Sequence, residues 1–131
     1  MWDDKNLFDS GVLLEVLLDQ ERAVLCRKVI EDHADSLTIT DFSLHAIGLI
    51  LLRNKRQDLY QNFFRDLAPR LHILSLPVES YDTLLDYHTR FNLDFDDAYQ
   101  ACTASLFGLK LLTLDSDFAR VKEIIDVTIL R

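Results

Sequence analysis

"LDFDDAYQACTASLFGLKLLTLDSDF", residues 93–118, is the stretch on which the fold turns. Acids open it, small residues fill its middle, and after Gly108 an apolar run meets two more aspartates. Residues 94–107 read as a helix, with Gly108 just past its end, where a left-handed backbone favours glycine. Residues 109–114 read as a short buried strand. A helix that leads straight back into a strand runs antiparallel to it. The start of the helix therefore lies at the same sheet edge as the end of the strand, and Asp94, Asp96 and Asp97 approach Asp115 there.

Outward from this unit the chain alternates in the same way. Strands are expected at 5–8, 36–40, 71–76 (ended by Pro77) and 127–130, and a turn into a helix at 10–19. Further helices are expected at 20–33, 41–53, 57–69 (stopped by Pro69) and 79–92. In the first of these, Ala23, Val24, Arg27 and Ile30 are spaced by three and four. Segment 41–53 is too long and too apolar for a strand and reads as a largely buried helix. Alternating strands and helices imply an α/β fold. We expect three layers, α/β/α, around a central, mainly parallel sheet of about five short strands, in a single domain over 1–131.

In such folds ligands bind beyond the carboxyl ends of the strands. Asp9 directly follows the first strand, Asp41 the second, and Asp115 the fourth, with Asp117 two residues on. Helical periodicity places Asp97 on a stripe with Ala101, Ala104 and Gly108, facing the sheet. It places Asp96 with Gln100 and Thr103, facing solvent, and makes Asp94 the N-cap that accepts from backbone N–H at 96 or 97. Each acid alone has a plain structural explanation in the helix dipole or a turn. Together, several carboxylates at one edge repel and raise one another's pKa, a conflict that a divalent cation resolves. Oxygen donors without a His or Cys cluster suit Mg²⁺ or Mn²⁺.

Composition narrows the partners. With 131 residues, 49% of them apolar, three Gly and two Pro, the chain is long enough and apolar enough for one folded core. No apolar run approaches the roughly 18–20 residues of a membrane span. The acidic start "MWDDKNLFDS" has no basic n-region, and Cys26 and Cys102 form no CxxC, so buried free thiols and a cytoplasmic setting are expected. A net charge of −8 argues against simple electrostatic binding of nucleic acid, though not against an acidic site charged with cations. His45 is the one histidine near that site, and its spacing also fits a core histidine.

These residues resemble the PIN-domain ribonucleases, the family that includes the VapC-type toxins of bacterial toxin–antitoxin pairs. The resemblance covers nearly the whole chain and is carried by "FDSGVLLEVLL" near the start and by residues 93–118. It implies Mg²⁺- or Mn²⁺-dependent hydrolysis of RNA, with Asp9, Asp97 and Asp115 as metal ligands and Asp117 as a further ligand or base. Ser10 or Thr113 would orient those ligands. The family's remaining acid, a Glu in the helix after the second strand, falls on Ser43 in "TITDFSLHAIG", so the sequence supports a three-Asp site. Asp41 or His45 would substitute only through a rotated helix or a bridging water. RNA contacts would come from "RNKRQ", with Arg53, Lys55 and Arg56, whose simpler reading is a solvated helix end. The resemblance further implies a homodimer and an antitoxin partner. Two alternatives remain: a PIN-like module that binds RNA or protein without cleaving, and a receiver-like phospho-acceptor domain. The latter needs an Asp after a central strand where "LHILSL" has Pro77.

Overall fold

The computed structural model describes residues 5–131. Five strands, β1 (Asn6–Phe8), β2 (Leu37–Thr40), β3 (Leu71–Leu74), β4 (Lys110–Thr113) and β5 (Val127–Ile129), form one sheet in the order β3-β2-β1-β4-β5. Every neighbouring pair is parallel. Helices α1 (Ser10–Leu17) and α2 (Ala23–Asp32) connect β1 to β2, and α3 (Asp41–Arg53) and α4 (Gln57–Asp66) connect β2 to β3. Helices α5 (Tyr81–Phe91) and α6 (Phe95–Phe107) return the chain to β4.

The layers follow from handedness. Right-handed crossovers that step from β1 to β2 to β3 put α1 to α4 on one face of the sheet, and the step back from β3 to β4 puts α5 and α6 on the other. Two cores result. Phe8 and Leu112 pack with Val12, Cys26, Ile47 and Phe63, whereas their strand neighbours Leu7 and Leu111 pack with Leu84, Leu93, Ala101 and Phe118. Successive residues of a strand point to opposite faces, so each central strand serves both cores. Each fully buried Leu or Phe among them contributes roughly 1.5–3 kcal/mol. This is the three-layer α/β/α architecture expected.

Several boundaries and faces differ from expectation. The strand expected at 71–76 stops at Leu74, because Ser75 bonds to Asp41 and the Leu76 N–H donates to the Tyr99 hydroxyl instead of to a strand. Helix α2 starts only at Ala23 and buries Ala23 and Cys26, while Val24 is 78% exposed. Helix α3 is not largely buried: Ser43, Ile47 and Leu51, spaced by four, form its only fully inward row among the described residues, and Leu49 and Leu52 are exposed. Cys26 and Cys102 are buried free thiols, as expected.

Going from β1, the chain moves to one side of the sheet, and β4 later fills the other side. The carboxyl ends of β1 and β4 thus flank the point where the strand order reverses, which is where open α/β sheets form clefts.

Candidate metal centre

Asp9 leaves the end of β1 and Asp115 leaves the end of β4, side by side because Phe8 pairs with Leu112 and the Asp9 N–H donates to the Leu112 carbonyl at 2.9 Å. Thr113, fully buried, ties the two together. Its Oγ1 donates to Asp9 Oδ2 at 2.8 Å and accepts from the Asp115 N–H at 3.0 Å. Asp115 in turn caps a 3-10 turn over Ser116–Val121, accepting from the Asp117 N–H at 2.9 Å, which brings Asp117 alongside. Helix α6 supplies Asp97 from its first turn.

Carboxylate oxygens of Asp97, Asp115 and Asp117 all come within 4.8 Å of one another, and those of Asp94, Asp96 and Asp97 form a second such group. Among the described residues Asp9 belongs to neither group. It sits behind them with both oxygens engaged, Oδ2 by Thr113 and Oδ1 by the Gln100 side-chain amide at 3.3 Å. Ser10 adds its backbone N–H to the Asp9 carboxylate.

The charges are felt across the cleft. Burial, then the carboxylates of Asp96, Asp9, Asp115 and Asp94, push the Asp97 carboxyl from the usual 3.8 up to about 7. Burial also raises Asp9, while its bonds to Thr113, Gln100 and Ser10 pull it back down. Among the described residues Arg120 is the cation that reaches the cluster, 3.3 Å from Asp117 Oδ1 on an exposed flank. One exposed ion pair offsets little of this repulsion. Oxygen donors alone, converging and mutually repelling, fit a hard divalent cation such as Mg²⁺ or Mn²⁺.

Other expected residues lie elsewhere. Asp41 is taken up by the Tyr99 hydroxyl at 2.7 Å and by Ser75 Oγ at 2.9 Å, and burial together with the bond to Asp41 pushes the Tyr99 phenol up to about 12. His45 is not a core histidine; it is exposed and borders, with Asp41, Phe42, Tyr81 and Tyr99, an open cavity of about 220 Å³. Asp94 is the N-cap of α6 but makes no side-chain capping bond; its carbonyl accepts from the Ala98 N–H at 2.8 Å.

Arg53, Lys55 and Arg56 stand at or just past the far end of α3. That helix begins at the carboxylate edge and runs 13 residues, about 20 Å, toward the opposite edge of the sheet. Arg56 is also forked onto Asp58 at 3.0 and 3.1 Å. The basic segment therefore begins about one length of α3 from the carboxyl edge at which that helix starts.

Sequence reasoning missed Gln100 and Thr103, which are 3% and 0% exposed rather than solvent-facing. Helix α6 is buried without a break from Ala98 to Ala104, between the sheet and α5, so it has no polar face there. A glutamine amid small residues was the available signal. Ser43 is also fully buried, and its Oγ accepts from that same Gln100 amide.

Comparison with known proteins agrees with this fold. The fold matches VapBC2 of Rickettsia felis, solved bound to a promoter DNA fragment, with TM-score 0.79 at 13% identity over 96% of this chain and 98% of that one. It matches the Mycobacterium tuberculosis sarcin–ricin-loop-cleaving toxin VapC20 with TM-score 0.74 at 12% identity over 87% and 92%. Pyrobaculum aerophilum PAE2754 matches with TM-score 0.70 at 24% identity over 94% and 90%. No curated protein matches the sequence. The sequence model of the PIN domain matches residues 7–124, and the chain belongs to the PIN-domain family.

Proposed function

We propose that this PIN domain is a Mg²⁺- or Mn²⁺-dependent ribonuclease that cleaves RNA phosphodiester bonds in the cytoplasm, as the toxin of a toxin–antitoxin pair. The observation that carries the reading is the convergence of Asp97, Asp115 and Asp117 beside Asp9, where burial and the neighbouring carboxylates push the Asp97 carboxyl up to about 7. Asp97, Asp115 and Asp117 would hold the ion, Asp9 standing behind them as a further ligand or as the charge that orients the others. When bound, the cation supplies a water of lowered pKa and positive charge for the in-line transition state of phosphate hydrolysis. Thr113 holds Asp9 and Asp115 in register, and Ser10 supports Asp9 through its N–H. With its carboxyl raised to about 7, Asp97 is about half protonated near neutral pH, and a cation held there would favour the ionised form.

An antitoxin partner and a homodimer are part of this proposal. The antitoxin partner is supported by the solved relatives, among them a toxin–antitoxin complex from Klebsiella pneumoniae with the same fold. The assay is cleavage of a panel of structured RNAs with Mn²⁺, with chelator, and by the Asp97→Asn and Asp115→Asn variants. Metal-dependent cleavage lost in both variants is expected; cleavage that survives chelation and both substitutions refutes it. Binding without cleavage is the second reading, favoured by the neutral Ser43 and Gln100 at the place where a fourth acid was expected. It predicts RNA retention with no cleavage under any metal.

A further inference from the structure

We propose that Gln100 is the positioning residue of the metal centre, setting the Asp9 carboxylate in place with a neutral amide where a fourth carboxylate would otherwise stand. The inference rests on the metal reading above.

Gln100 is 3% exposed, and each side of its amide is engaged. Oε1 accepts from Thr40 Oγ1 at 2.9 Å, one N–H of Nε2 donates to Ser43 Oγ, and the other donates to Asp9 Oδ1 at 3.3 Å. Thr40 Oγ1 also accepts from the Ser43 N–H at 2.9 Å as the cap of α3, which closes a ring of Thr40, Ser43 and Gln100. The ring fixes which way the amide points. Thr40 Oγ1, accepting from Ser43, has its one proton for Oε1, so the nitrogen must face Asp9; the flipped amide would set a carbonyl against a carboxylate.

Thr113 and Gln100 therefore grip Asp9 from two sides, from β4 and from α6, and leave its charge unchanged. A carboxylate in place of this amide would add another charge to a cluster whose members already repel. Ser43, with its short side chain, leaves room for the amide and accepts from it. Groups that orient metal ligands typically influence metal affinity by about 10–100-fold.

The test is Mn²⁺ titration by calorimetry on wild type, Gln100→Met and Gln100→Glu, each checked for a cooperative thermal transition. Gln100→Met fills the space without donating to Asp9, and Mn²⁺ affinity is expected to fall by about tenfold. Gln100→Glu keeps an acceptor for Thr40 and adds charge, and affinity is expected to rise severalfold while the metal-free protein melts at lower temperature. A merely structural glutamine would lower both melting temperatures and leave the Gln100→Met affinity within twofold of wild type, which overturns the inference, as does a rise in that affinity. Should Gln100→Met fail to fold, Gln100→Leu, which also removes the donor to Asp9, is read in its place against the same tenfold loss. Wild type that takes up no Mn²⁺ brings down the metal reading itself, and this inference with it.

Discussion

Replacing Asp97 by Asn should make the metal-free protein more stable at pH 8, an unusual result for a substitution in a functional cleft. The carboxyl of Asp97 rises from 3.8 to about 7 on folding. Between those values the folded chain holds a proton that the unfolded chain releases, so stability falls as pH rises and the loss is complete just above pH 7. At 1.36 kcal/mol per tenfold change in proton affinity, the whole rise corresponds to roughly 4 kcal/mol. Solvent at the cleft mouth screens part of it, which leaves about 2 kcal/mol as the working figure. Asparagine carries no charge, so the metal-free variant should melt higher at pH 8 by roughly 5–8 °C and no higher than wild type at pH 4. The helix-dipole contribution lost with the carboxylate is smaller, about 0.3–1 kcal/mol. Saturating Mn²⁺ should reverse the order, because at about 100 times Kd a ligand stabilises wild type by about 2.7 kcal/mol and has little hold on the variant. Circular-dichroism melts at pH 4, 6 and 8, with chelator or with Mn²⁺, measure every part of this. A variant that melts below wild type at pH 8 in chelator, or a gap that does not widen from pH 4 to pH 8, would refute the electrostatic account.

Three further outcomes follow from single contacts. Thr113→Val removes the donor to Asp9 and the acceptor for the Asp115 N–H; it should cost about 1–3 kcal/mol in urea unfolding and weaken Mn²⁺ binding, and unchanged metal affinity would detach Thr113 from the site. Thr38→Val should stabilise by about 1 kcal/mol, since Thr38 Oγ1 is buried without a hydrogen-bond partner; a loss of stability would place an ordered water there. Gly108→Ala should cost about 1–2 kcal/mol, because Gly108 ends α6 at φ 65° with open space around its Cα, so that backbone conformation alone is penalised. A neutral result in the same unfolding assay would mean that the helix end relaxes to a right-handed turn.

Much of this arrangement was legible before any coordinates. The alternation of short apolar runs with amphipathic ones gave the parallel three-layer fold, and helix α3 has the bounds read for it. That Asp9, Asp97 and Asp115 share one edge follows from the strand ends together with the direction of the helix that leads into β4. The same argument, applied to α3, carries Arg53 away from the acids, since that helix also starts at the carboxyl edge of the sheet. What stayed hidden depends on partners distant in sequence. Asp41 looks like a free acid until Tyr99, 58 residues later, reaches it. Gln100 and Thr103 look solvent-facing because periodicity assumes one wet side, and α6 has none between Ala98 and Ala104. Val24 shows the converse error, a hydrophobe at helical spacing that faces water.

The bonds that organise Asp9 span 91 and 104 residues of chain, to Gln100 and to Thr113. During synthesis β1 can pair with β2 early, but its other edge stays open until Lys110–Thr113 has been made. Closing that edge and assembling the carboxylate cleft are one event, because the strand that fills the gap also carries Thr113 and delivers Asp115. Contacts of such long range form slowly and late in folding. A nascent chain that ends before β4 therefore holds Asp9 and Asp97 without the centre, and the chemistry of the cleft arrives only with the finished sheet.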